Sequence, residues 1–98
     1  MDAVKQLFDI FIEDTPREIE ALEDAIIKKN YVTIEKISHH LVSSYSIIGI
    51  ESAVKVLKMM EHKANQKKEI GEIKKMFRIL IEITVEAKKE ITELNILK

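Results

Sequence analysis

The sequence predicts an all-α protein, an antiparallel four-helix bundle with an additional short N-terminal helix. Three observations carry this. Apolar residues recur at intervals of three and four along nearly the whole chain. Only 2 Gly and 1 Pro occur among 98 residues, too few for the turns of a sandwich or barrel. The polar segments between the apolar stripes are brief. Short connections force neighbouring helices antiparallel, with interhelix angles near ~20°. A chain of 98 residues and 11.4 kDa fits one domain, residues 1–98. Such a domain buries roughly 60–68% of its unfolded surface, so its core is modest.

Leu7, Phe8, Phe11 and Ile12 mark a first helix over about residues 3–14. Thr15-Pro16-Arg17-Glu18 then reads as a new helix start. The Thr15 hydroxyl would cap, Pro16 suits the first helical position, and Glu18 completes a capping box. The second helix turns Ile19, Leu22, Ile26 and Ile27 inward and ends at Asn30, a residue that can also cap the next helix. The third runs from about Tyr31 to Ile48, with Ile34, Ile37, Leu41, Ser44, Tyr45 and Ile48 inside. Gly49 is placed to stop it, because Gly takes a left-handed C-terminal position without strain. The fourth starts near Glu51 and carries Ala53, Leu57, Met60 and Ala64. Residues 65–69 are polar and form the expected loop. The fifth is long, and Ile73, Phe77, Leu80, Thr84, Ala87, Ile91 and Leu94 form a seam along it.

Composition narrows the function. Hydrophobic residues make up 46% and charged residues 34%, too apolar a mixture for disorder. A dinucleotide fold is excluded by length and by the lack of a Gly-rich loop. There is no Cys, which removes thiol catalysis, disulfides and thiolate-bound zinc. A cysteine-free chain suits a reducing compartment, so a cytoplasmic location is expected. No apolar run approaches the ~20 residues that span a bilayer, and no signal-peptide pattern opens the chain. Sixteen Lys+Arg against seventeen Asp+Glu give a net charge of −1, which argues against nucleic acid as a partner. The basic stretch Lys63, Lys67, Lys68 reads as a solvated helix end or loop.

Three His residues are the candidates for chemistry: His39, His40 and His62. With Ile37 at zero on a helical wheel, the inner stripe centres near ~30° and His39 falls at ~200°, almost opposite. His39 should therefore project into solvent. His40 falls at ~300°, on the flank, where partial burial is expected. His62 lies opposite the stripe of its helix and reads as a surface residue. A surface His on an amphipathic helix does no chemistry by default. His39 and His40 cannot share a metal, because their side chains diverge by ~100°. Glu35 and His39 are four apart, but two ligands do not make a site, and the Glu-x-x-His pairs of a di-iron bundle are absent. Ser43, Ser44 and Ser46 cluster near His39, yet no acidic residue is spaced to complete a hydrolase triad. The carboxylates Glu18, Glu20, Glu23 and Asp24 form a charged face without a substrate cleft for glycoside hydrolysis.

The segment His39-His40-Leu41-Val42-Ser43-Ser44-Tyr45-Ser46-Ile47-Ile48-Gly49 resembles the signature of histidine-containing phosphotransfer (HPt) domains. That family's pattern is His, any residue, Leu, Lys, Gly, several small residues, an aliphatic, and Gly ten positions after the His. His39, Leu41, Ile48 and Gly49 match it in spacing, and residues 11–16 resemble the helix break upstream of the family's His. The resemblance covers nearly the whole chain. It departs at two positions: the family's Lys is Val42 here and its Gly is Ser43. The Lys is thought to neutralise the phosphoryl group, and the Gly to give a partner access to the imidazole. Lys36, one turn before His39, is a candidate replacement for the charge.

The resemblance implies a carrier rather than an enzyme. His39 would take a phosphoryl group from the Asp of a response-regulator receiver domain, free-standing or part of a hybrid sensor histidine kinase, and pass it to another. The partner would supply Mg²⁺, and the domain would hold no cofactor or metal of its own. Lys36, Val42, Ser43 and Ser46 would form the docking surface, with Phe8 or Ile12 of the first helix adding to it. The chemistry is intelligible on its own terms. A neutral imidazole is nucleophilic near neutral pH, and phosphoryl transfer is mostly positioning and charge neutralisation. The competing expectation is a helical interaction or docking module that transfers nothing.

Overall fold

The computed structural model describes residues 3–67 and 69–97, with side chains from residue 6 to residue 93 except 68. All regular structure among them is helical: α1 (Ala3–Ile27), α2 (Tyr31–Ile48), α3 (Glu51–Asn65) and α4 (Ile70–Leu97). Helix α1 packs against α2 and α4, and α3 packs against α2 and α4. The molecule is an elongated helical body of 45 × 20 × 20 Å. Among the described residues no helix is long and apolar enough to cross a membrane.

The expected break at Thr15-Pro16 does not occur; α1 runs through Pro16. The reason lies in what flanks it. Pro16 is exposed, while Phe11, Thr15, Leu22, Ala25 and Ile26 are buried along one stripe. The proline removes only the hydrogen bond its N–H would make to Ile12, a loss of roughly 3 kcal/mol with its steric clash. Continuous burial of that stripe offsets it. Thr15 is 1% exposed, so it packs inside the helix instead of starting one. The separate short N-terminal helix is therefore absent, and its residues are the first turns of α1.

The other element ends follow the sequence closely. Asn30 caps α2, its Oδ1 accepting from the Thr33 N–H at 3.2 Å. The turn into it is made by Lys29 at φ 55, with the Asn30 N–H bonded to the Ala25 carbonyl and the Lys29 N–H to Ile26. Gly49 ends α2 at φ 88, its N–H shared between the Tyr45 and Ser46 carbonyls. Residues 66, 67 and 69 lie between α3 and α4, in the polar segment expected to form the loop. Within it Lys67 takes φ 53.

The core is built from Leu22, Ile34, Leu41, Tyr45, Leu57, Met60, Ile73 and Leu80, all fully buried. In α3 the four expected inward residues, Ala53, Leu57, Met60 and Ala64, are the four buried ones. In α4 Ile73, Leu80, Thr84 and Ile91 are buried and Phe77 and Ala87 half-buried; Leu94 lies outside the described side chains. In α2 the buried stripe is Ile34, Ser38, Leu41 and Tyr45. Ile37, Ser44 and Ile48 are only half-buried, so the core-facing direction is rotated toward Ser38. In α1 Ile27 is 69% exposed and Leu7 42% exposed, whereas Ile19, Phe8 and Ile12 are half-buried. Tyr45 ties three helices together. Its ring meets Phe11 of α1 edge-on at 5.0 Å, and its hydroxyl lies 2.6 Å from Thr84 Oγ1 of α4.

Candidate functional site

The two consecutive His residues of α2 diverge by about 100° and serve different neighbours. His39 leans toward α3, where its Nδ1 lies 2.8 Å from Glu61 Oε2. His40 leans toward α1, where its Nε2 lies 2.6 Å from Glu18 Oε1. Both rings are exposed, the His39 side chain at 74% and the His40 side chain at 66%. The expected partial burial of His40 is thus not found; rotation of the core stripe toward Ser38 leaves it on the surface, tied to Glu18. His62 is exposed as expected.

Contact with Glu61 fixes the chemistry of the His39 ring. A carboxylate only accepts, so Nδ1 carries the proton. In the neutral ring Nε2 then holds the lone pair. Among the described residues His39 bonds Glu61 alone, so Nε2 is left on an exposed ring with no protein partner. The side chain of Glu61 is 28% exposed. Its partial shielding strengthens the pair relative to one in open water. A carboxylate behind an imidazole orients the ring and stabilises positive charge that develops on it.

Glu61 is a residue that helical periodicity does not single out. It is 22 positions from His39 and looks like any polar flank of its helix. The hairpin supplies the missing signal. Asn65 Nδ2 donates to Glu35 Oε2 at 2.7 Å, one turn below the His39–Glu61 pair. Both pairs are symmetric about Ile50, which with Gly49 joins α2 to α3, so these two helices run in opposite directions. Once Gly49 is read as the turn, counting outward from Ile50 pairs His39 with Glu61. The same contact occupies Glu35 with Asn65, which removes it as a metal partner for His39. Among the described residues no group of three or more His, Asp or Glu is placed to hold a metal ion.

The remaining expected docking residues divide between two sides of His39. Ser43 and Ser46 are exposed and Lys36 is exposed one turn before His39. Val42 is half-buried and packs against the core. Ser46 lines a shallow groove between α2 and α3 together with Val54, Lys55 and Lys58. On the opposite flank, Leu7, Ile10 and Ile47 line a second groove with Glu18 and His40 between α1 and α2. Leu7, Ile10 and Ile47 are 42%, 56% and 64% exposed. The apolar surface contributed by α1 therefore comes from Leu7 and Ile10, and Phe8 and Ile12 pack inward against the core.

Comparison of the chain with protein-family models, with curated proteins and with solved structures finds no match. The functional reading therefore stands on an exposed imidazole, oriented by a carboxylate from the neighbouring helix, on a small all-helical scaffold.

Proposed function

We propose that the chain is a phosphoryl-carrier domain of the histidine-containing phosphotransfer kind, a cytoplasmic antiparallel four-helix bundle with His39 as the phosphorylated residue. The observation that supports it is the His39–Glu61 pair, which leaves Nε2 facing outward on a ring held by its other nitrogen. A carrier needs a nucleophile that is accessible and oriented, on an element too rigid to fold over it. His39 lies in the interior of an 18-residue helix.

In the forward step the Nε2 lone pair attacks the phosphorus of an aspartyl phosphate on a receiver domain. The N–P bond forms, the P–O bond to the aspartate breaks, and the carboxylate leaves with its electron pair. The His39 ring becomes cationic, with its Nδ1 proton held by Glu61. The reverse step passes the group to a second receiver. Mg²⁺ comes with the receiver and neutralises charge on the phosphoryl oxygens. The domain has no nucleotide site in this reading and turns nothing over alone.

The test is incubation with a phosphorylated receiver domain and Mg²⁺, followed by intact mass measurement. An acid-labile, base-stable adduct on wild type that is absent from His39→Gln supports the carrier. Adduct on His39→Gln, or none on wild type, refutes it. A second reading, a docking module that transfers nothing, is favoured by Val42 and Ser43 standing where the family has Lys and Gly. It expects receiver binding with no adduct.

A further inference from the structure

The phosphoryl group that His39 would carry is a dianion, and its transfer needs positive charge close to the reacting nitrogen. No cation follows His39 within its own next turn, where Val42 is half-buried and Ser43 is neutral. The α2–α3 hairpin brings one from across the groove. The pairs Glu35–Asn65 and His39–Glu61 are both symmetric about Ile50. Continuing that register toward the turn sets Val42 opposite Lys58, and Ser46 opposite Val54. The groove agrees with the register, since Ser46, Val54 and Lys58 line it together, with Lys55, Gly49 and Glu51.

Lys58 therefore sits one turn from Glu61 on the same flank of α3, and side chains three apart on a helix are neighbours at about 5–6 Å. It is exposed, and among the described residues it makes no ion pair. Lys63, two positions from Glu61 in the other direction, is already paired with Glu72. Lys55 also lines the groove, but in this register it lies a turn further from His39 than Lys58 does. Lys36, exposed three positions before His39, is not among the residues that line the α2–α3 groove. A lysine is a compact charge on a four-carbon stem, able to swing over a neighbouring ring without a fixed hydrogen-bond geometry.

We propose that Lys58 is the cation that contacts the phosphoryl group on His39, so that Glu61 and Lys58, one turn apart on α3, serve opposite sides of the same ring. Glu61 holds the Nδ1 proton; Lys58 neutralises the oxygens arriving at Nε2. This rests on the carrier reading of His39.

The experiment uses the full chain and phosphoramidate as a small anionic donor, so that no receiver supplies charge or contacts. The Nε2 lone pair attacks phosphorus, the donor's P–N bond breaks, and its nitrogen leaves as ammonia. Adduct is followed by intact mass with time. Lys58→Ala should slow its formation about tenfold, and Lys58→Arg should restore most of the rate. Added salt should slow wild type and leave Lys58→Ala nearly unaffected, because screening acts only where the charge is present. That salt response is a readout a merely structural lysine would not move. Equal rates and equal salt slopes for wild type and Lys58→Ala overturn the assignment of Lys58 alone. A wild type that forms no adduct on His39 overturns the carrier reading and this assignment with it.

Discussion

Replacing Tyr45 by Phe removes one oxygen from the centre of the molecule and should change stability in a pH-dependent way. Thr84 has a single hydroxyl proton, and it goes to the Leu80 carbonyl at 2.7 Å. The Tyr45 hydroxyl must then donate to Thr84 Oγ1, at 2.6 Å. Tyr45→Phe deletes that bond and keeps the ring against Phe11, so near pH 8 it should cost about 1 kcal/mol. Burial is the main cause that pushes the Tyr45 phenol up to about 12; the charge of Glu18 adds to it and the Thr84 contact opposes it. In the unfolded chain the phenol titrates at 10.0. Above that value the unfolded state gives up its proton first, so the fold loses stability as pH rises, and the loss is complete above about 12. Two units correspond to about 3 kcal/mol in all, of which about 1.4 kcal/mol is gone by pH 11. The phenylalanine variant has no such loss. Lysines titrate in both proteins and cancel in the difference. Urea melts followed by circular dichroism should therefore find wild type the more stable near pH 8, the two equal near pH 11, and the order reversed above it. A difference that stays constant from pH 8 to about pH 12 would refute the idea that Tyr45 must remain neutral to stay folded.

Other outcomes follow from single residues. Ser38 is fully buried and its Oγ has no hydrogen-bond partner among the described residues; Ser38→Ala should leave stability unchanged or raise it by about 1 kcal/mol, and a clear drop in the urea midpoint would contradict this. Gly49→Ala places a Cβ at φ 88 where nothing lies within 4 Å, so the loss is backbone strain alone, about 1–2 kcal/mol, and Gly49→Asn should lose less. Leu57→Ala should destabilise by about 2–5 kcal/mol, whereas half-buried Ile37→Ala should lose distinctly less in the same melts. Glu61→Gln still offers an oxygen to Nδ1 but no charge; adduct formation on His39 should fall about 10–100-fold with the melt little changed, and an unaltered rate would remove Glu61 from the site.

Much of this molecule is legible in its residues, and the misses share one cause. Gly49, Asn30 and the Ala53-Leu57-Met60-Ala64 stripe are local signals, where backbone conformation or a short period decides alone, and each appears as expected. Pro16 is a strong local stop signal that tertiary burial overrides, because Phe11 and Thr15 on one side and Leu22 on the other belong to one continuous buried stripe. The small tilt of α2 toward Ser38 moves Ile37 and His40 outward, a rotation the apolar pattern cannot resolve because Ser38 is polar yet inside. Glu61 is the plainest case. Its role depends on which helix lies beside α2 and in what register, and only the hairpin's symmetry about Ile50 supplies that.

The two histidines of α2 are leashed by opposite nitrogens, His39 through Nδ1 and His40 through Nε2. Any covalent label on them would therefore form different regioisomers, on Nε2 of the first ring and on Nδ1 of the second. Phosphorus–proton couplings in a magnetic resonance spectrum distinguish the two isomers, so the chain writes the identity of the modified ring into the product itself, legible without a single mutation.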